Sequence, residues 1–519
     1  MKLDFVKHAK RNLVAVALNR VLLLFLPFVN RTLFLWLMGP EYLGLNGLFT
    51  SVLGMLSLAE LGFGAAIVCS MYKPVAEDDK PLLCAYLAFY RTIYRWVGGT
   101  IFVVGLSLLP FVPHLIHGNV PPDIDLRVLY LIHLANTTVS YFLFAYRGAI
   151  LYAHFRGDVV TNFRSVTTIA QYLVVFAILL TTQNYYHYLM AMVIFTLMNN
   201  LLTVWQARRL FPDIHPEGRL DDARRKAVLS DAKSIFLHKL GAFINFSVDN
   251  LVISAVLGLK AVAVYGNYYY IATKAGLFAS LLGSTLNDGF GNRIHTESKE
   301  SNFRLFMKTN RLAMVGVVGF GAVLAAVFQP FIAWWSRGDP SMMRHALTPA
   351  LMLLYFFVSQ SRQTLLAFKS GAGLWKQDRW KSIVGGAVNL SLNFAFIFCL
   401  PDEYKLDGVI LSTIVAFLFV QIPWETRVVF REFFGPEEGR AYVTAQTEFA
   451  LLAALLSFLA WGVTRALPWD GVWGLAAKGT VAVAIVGGTL GAMYSGDLAA
   501  AVRHFLGRHH PPREEPESK

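Results

Sequence analysis

The residues best placed to do chemistry in this chain are charges in places where charge is costly. Arg20, Arg31, Lys274 and Arg362 stand deep inside long apolar stretches. A charge at a bilayer centre costs about 2.5–3.5 kcal/mol on insertion scales, so such a side chain turns towards a cavity or a partner. At 100° per residue, spacings of seven and eleven nearly close whole turns, which puts Arg20, Pro27 and Arg31 on one helix face. The same arithmetic aligns Asn46 with Glu60, and His133 with Thr137, Ser140 and Arg147. It also aligns His238, Asn245 and Asp249, then Asn267, Lys274 and Asp288, then Tyr355, Arg362 and Lys369. These stripes predict a cationic cavity lined by Arg20, Arg31, Asn46, Arg147, Lys239, Asn267, Lys274, Tyr355 and Arg362. Its chemistry would be the binding of an anionic ligand rather than the making of bonds. Glu60, Asp249 and Asp288 are candidate charge partners, or groups that couple an ion or proton to movement. Arg91 and Arg95 read better as snorkelling surface cations, and for Arg147, Lys239 and Lys369 the snorkelling reading is as good as ligand contact.

The elements that must position them are membrane helices. The 519 residues are 55% apolar and only 15% charged, with mean hydropathy +0.49; a soluble globular chain is roughly 25% charged. A soluble enzyme and a disordered chain are both excluded. Apolar segments near 12–38, 45–70, 82–112, 125–150, 163–182, 186–207, 233–258, 264–287, 311–335, 346–370, 381–400, 408–431, 447–466 and 472–495 predict an all-α polytopic fold of about fourteen transmembrane helices. The first is expected to be a helix rather than a cleaved leader, because it is too long and lacks a small-residue cleavage site.

The charge pattern orients the bundle. Of 46 Lys and Arg, thirty fall on the side of the N-terminus and six on the other, the rest lying inside the apolar segments. That asymmetry predicts cytoplasmic termini and accounts for the net charge of +13 without nucleic acid as a partner. The expected organisation is an N-lobe at 1–207, a cytoplasmic linker at 208–232, a C-lobe at 233–431, two further helices at 447–495 and a tail at 496–519. A weak repeat supports two lobes: LMGPEYLGLNGLF and VLGLKAVAVYGNYY place Gly39 and Gly47 in register with Gly258 and Gly266, 219 residues apart.

Other chemistry lacks its signals. Cys69, Cys84 and Cys399 have no metal-ligand spacing, and His509 and His510 lack metal partners. There is no GxxxxGK[ST] loop and no soluble region large enough for a nucleotide-sugar site, so neither an enzyme nor a bound cofactor or metal is expected.

The stretch GPEYLGLNGLFTSVLGMLSLAELGFGAAIVCSMYKPVAEDDKP at 39–81 resembles the polysaccharide biosynthesis flippase family, of the multidrug/oligosaccharidyl-lipid/polysaccharide exporter superfamily. VDNLVISAVLGLKAVAVYGNY at 248–268 resembles that family's passage from helix seven to helix eight. Asn46, Glu60, Asp249 and Asn250 fall within these stretches. The resemblance implies two six-helix lobes around a cationic cavity, plus two trailing helices. It also implies a cargo, undecaprenyl-pyrophosphate-linked oligosaccharide carried across the inner (cytoplasmic) cell membrane by alternating access. Guanidinium forks suit the pyrophosphate, and Asn267, Tyr268 and Tyr355 suit a sugar. The partners that follow are membrane lipids, a proton or sodium gradient, and polysaccharide polymerase or export machinery. The rival expectations are a multidrug antiporter or a lipid-linked peptidoglycan precursor flippase of the same superfamily, and a non-catalytic scaffold in polysaccharide assembly.

Overall fold

The computed structural model describes residues 25–57, 62–118, 120–142, 145–280, 294, 297–374, 377–378 and 380–507, without the side chains of 145, 234–235, 237–247, 497–498 and 500–507. Among the described residues there is no strand. Fourteen helical passages occur there, at the places the apolar segments predict. They are α1 (Phe25–Leu37), α2 and α3 (Pro40–Leu56, Phe63–Ala76), α4 (Lys80–Leu108), α5 and α6 (Leu126–Phe142, Gly148–Ala153), α7 (Gly157–Thr181), α8 (Tyr185–Leu210) and α9 (Asp222–Leu257). There follow α10 (Leu259–Ala279), α11 (Lys299–Trp335), α12 and α13 (Leu347–Ser361, Gln363–Gly371), α14 (Lys381–Cys399), α15 and α16 (Lys405–Ala416, Ile422–Glu432), α17 (Pro436–Arg465) and α18 (Gly471–Gly507). Eight of these passages are long and apolar enough to cross a membrane as uninterrupted spans. This is a multi-pass membrane protein.

The helix starts are written locally. Asp79 caps α4 by accepting the Leu82 amide at 3.0 Å, Asn184 caps α8, Asp221 caps α9 through the Arg224 amide at 2.7 Å, and Ser298 caps α11. The connection expected at 208–232 is shorter than the sequence suggests, because α8 runs to Leu210 and α9 begins at Asp222. With 36 and 37 residues, α9 and α11 rise about 55 Å, well beyond a hydrocarbon core of about 30 Å.

The chain forms two compact units, Met1–Gly266 and Asn267–Lys519. Within the first unit α9 packs against α2 and α3. Glycine makes close approach possible: a Cβ on Gly62, just ahead of α3, would meet the Ala232 carbonyl oxygen of α9 at 2.1 Å, and one on Gly44 of α2 would meet the Leu259 carbonyl oxygen at the start of α10 at 2.1 Å. The two glycines of the repeat share one turn. Gly39 ahead of α2 has φ 101 and ψ 172, and Gly258 ahead of α10 has φ 85 and ψ 177, a region open essentially only to glycine.

In the second unit α11 is the central helix, packed against α12, α13, α17 and α18. Its Gly319 and Gly321 admit Leu490 and Phe356, because helices in lipid associate by close packing rather than by the hydrophobic effect. Between α14 and α15 the buried Asn389 amide donates to Ser412 and Thr413 at 3.2 and 2.9 Å. The passage from α15 to α16 contains one π-helical turn, Phe417–Gln421. Pro423 has no N–H to give the carbonyl of Phe419, which explains why the winding relaxes there.

Candidate functional site

In the first unit the site builds outward from α1. Arg31 lies against α10 at Gly266, where a Cβ would sit 2.8 Å from the guanidinium Nη2, so the bare glycine backbone is what leaves it room. One residue earlier, the Asn30 amide donates to the Tyr188 hydroxyl at 2.9 Å. Phe34 is buried against the rings of Tyr185 and Tyr188, at 5.3 and 4.9 Å. The Tyr185 hydroxyl donates to Asn46 Oδ1 at 3.4 Å and lies 3.4 Å from His133 Nε2. Asn46 and the α1 residues Asn30 and Phe34 that flank Arg31 are thus tied to one aromatic cluster on α8.

Asp249 is buried on α9, where its carboxylate accepts the Tyr265 hydroxyl at 2.9 Å, and Asn250 donates to Ser51 at 2.9 Å. Arg147 is half-buried between α5 and α6, and its Nε has no hydrogen-bond partner among the described residues. Arg20, Glu60 and Asp288 lie outside the described residues, as does the side chain of Lys239.

In the second unit, Asn267 is buried on α10. Lys274, seven residues on, holds its ammonium 5.2 Å over the Tyr270 ring. Tyr355 donates to the Tyr269 hydroxyl at 3.4 Å and stacks on Phe417. Arg362 stands where α12 breaks into α13 and is 7% exposed. Its guanidinium forks onto Glu425, with Nε 3.0 Å from Oε2 and Nη2 on Oε1, while Nη1 donates to Gln421 at 2.8 Å. The Phe417 ring covers it at 4.8 Å. Every donor nitrogen that could fork onto a phosphate is therefore engaged in this conformation.

The network runs further. Lys381 reaches Glu425 at 2.5 Å and Asp378 at 3.1 Å, and Lys369 pairs with Asp378. Burial alone would push the Asp378 carboxyl up, but the Lys381 and Lys369 ammoniums outweigh it and hold it below the usual carboxylate range. Three cations face two anions here, all buried, among the described residues. The stripe Tyr355, Arg362 and Lys369 marked one side of this cluster. Glu425, Lys381 and Asp378 were missed, and only a search for acids inside apolar segments would have found Glu425. Among the described residues no group of three or more His, Cys, Asp or Glu could hold a metal ion.

The family model for polysaccharide biosynthesis protein matches residues 9–286, more than half of the chain. The chain belongs to that family. Among solved structures, it is similar to the lipid II flippase MurJ in an inward closed conformation, with TM-score 0.64 and 13% identity over 94% of this chain and 99% of that one. It is also similar to an inward-facing multidrug resistance MATE family transporter of the MOP superfamily, with TM-score 0.54 and 16% identity over 82% of this chain and 96% of that one. At such identities the likeness is one of fold, and the fold is that of the flippases and transporters of this superfamily. No curated protein sequence matches.

Proposed function

We propose that this family member is a flippase for lipid-linked oligosaccharide, taking an undecaprenyl-pyrophosphate-linked repeat unit from the cytoplasmic to the outer leaflet of the cell membrane by alternating access. The observation that carries the reading is the family match over residues 9–286; the flippase-like fold and the cations inside apolar helices support it. Arg31, Arg147 and Lys274 are the described cations proposed to meet the pyrophosphate, with Arg20 and Lys239 completing the set. Arg362 joins them only in a conformation that frees it from Glu425. Asn46, Asn267 and Tyr355 are proposed to meet the glycan, and Asp249, Glu60 and Asp288 to couple the step to a proton or sodium gradient. The basic-loop side, with both termini, is proposed to be cytoplasmic. Membrane lipids and polysaccharide polymerase or export machinery are the proposed partners.

The test is the accessibility of lipid-linked oligosaccharide in proteoliposomes carrying wild type, Arg20→Ala, Arg31→Ala or Lys274→Ala, under imposed gradients. The reading expects translocation by wild type and at least a tenfold loss in correctly inserted Arg31→Ala, a loss of about 1.4 kcal/mol. Translocation unchanged in all three variants would remove the site while leaving the function. No movement by wild type under any gradient would remove the function.

A further inference from the structure

A chamber of about 480 Å³ opens within the first unit, among α3, α4, α6, α7 and α8, and it is chemically unlike the cationic stripes. One wall is the α8 face of Asn199, Asn200 and Thr203; another carries Tyr90 and Tyr94; Tyr72 and Tyr152 stand at the exposed edge. Among its described lining residues none is charged. The volume falls within the ~300–1,000 Å³ of small-molecule sites.

Its polar groups are arranged to leave opposite hydrogen-bonding functions free. The Asn199 side-chain amide meets the Thr167 hydroxyl at 3.3 Å, and that hydroxyl's one proton is taken by the Phe163 carbonyl at 2.8 Å, so the amide keeps capacity both to donate and to accept. Asn200 Nδ2 donates to Ser140 at 2.9 Å, which leaves the Asn200 carbonyl oxygen as an acceptor. The adjacent side chains thus offer both donor and acceptor capacity, each held by a hydroxyl on another helix. Tyr90 donates to the Tyr94 hydroxyl at 3.0 Å, with the rings edge to face at 4.5 Å. A Cβ on Gly64 would stand 2.9 Å from the Tyr90 hydroxyl, so glycine keeps that ring where it is. Tyr72 is stacked on Phe155, the ring planes 7° apart.

We infer that this chamber binds one neutral sugar ring of the oligosaccharide cargo. Free amide donor and acceptor pair with vicinal hydroxyls, and the tyrosine faces take the C–H face of a pyranose. A phosphate would meet no cation among these described residues, and an acyl chain would leave the amides of Asn199 and Asn200 unpaired at about 1–3 kcal/mol each. The inference rests on the flippase reading for the source of the sugar, but the site can be tested without transport.

Cys69 lines the chamber and is exposed, so its alkylation rate reports occupancy. In full-length protein carrying Cys84→Ser and Cys399→Ser, in phosphatidylcholine nanodiscs, maleimide labelling of Cys69 is timed with rising methyl glycosides of glucose, galactose, mannose, rhamnose and N-acetylglucosamine. At ten times its Kd a bound glycoside slows labelling about tenfold. The expected result is saturable protection by at least one glycoside, abolished in Asn199→Leu/Asn200→Leu and weakened in Tyr152→Ala, which removes a ring face from an exposed position. Equal protection by sorbitol, protection by no glycoside, or protection that survives the asparagine variants would overturn the proposal. So would stronger protection by a short alkyl phosphocholine that the leucines enhance, since that marks an acyl-chain site. Translocation is read separately. Transport without protection sinks this subsite alone, and protection without transport sinks the flippase reading alone.

Discussion

The buried cluster of the second unit makes an asymmetric prediction. Among the described residues Arg362, Lys369 and Lys381 form ion pairs with Asp378 and Glu425, so this described cluster carries one excess positive charge. Replacing Arg362 by Met leaves two cations and two anions, with Lys381 still 2.5 Å from Glu425. The loss is then that of charged hydrogen bonds, about 1.5–3 kcal/mol. Replacing Glu425 by Gln leaves three cations against Asp378, and breaking a buried pair from the side that strands a charge costs about 3–5 kcal/mol. The two variants should differ by roughly 2 kcal/mol, about 4–8 °C in melting temperature for a cooperative unit of 150–250 residues. A sharper consequence is that adding Arg362→Met to Glu425→Gln raises stability, because it removes one stranded cation. The assay is tryptophan-detected melting of the purified protein in one detergent at one scan rate, so that apparent values compare even if unfolding is irreversible. If Arg362→Met melts as low as Glu425→Gln, or the double variant melts below both, the charge-balance reasoning fails.

The Asp378 carboxyl sits below its ordinary range, so its stabilisation is complete above the unfolded value near 3.9 and is lost as pH falls through the lower folded-state value. Wild type should therefore lose melting temperature between pH 5 and 3 more steeply than Asp378→Asn, which is the less stable of the two at pH 7. Equal slopes would show that another group titrates. Gly266→Ala should melt within about 1 kcal/mol of wild type, because only the end of a flexible side chain stands in the way, yet it should lower translocation as Arg31→Ala does; unimpaired transport would free Arg31 from the proposed site. Gly39→Ala and Gly258→Ala should each cost about 1–3 kcal/mol through their backbone angles. Melting curves that overlay wild type would contradict that assignment.

Much of the fold could be read from the chain because it rests on local signals. Apolar runs located fourteen passages, and four cap residues mark helix starts. The Gly39/Gly258 correspondence was visible because a turn open only to glycine leaves its mark on sequence. The break of the tenth passage at Arg362 falls in the polar run at 359–364, a signal that helix-face arithmetic passes over because it reads the passage as one continuous stripe. The site was less legible. Helix-face arithmetic finds residues that share a stripe, but not the partner 63 positions away that uses up a guanidinium. Nor could it tell that Asn199 and Asn200, inside an ordinary apolar run, are each turned by a hydroxyl on another helix. Likewise α9 looks like the start of a second half, whereas it packs on α2 and α3, with the close approach at Gly62, inside the first unit.

The π turn at Phe417–Gln421 amounts to one supernumerary residue wound into the passage from α15 to α16. Everything downstream of it is rotated by about 100° relative to an unbroken α-helix. Glu425 therefore faces Arg362 by virtue of chain length, not of side-chain choice alone. Removing a single residue from the turn would leave every charge of the cluster in the chain and still turn the acid away from its base. In aligning relatives of this protein, a one-residue gap at 417–421 would carry more meaning than any substitution beside it.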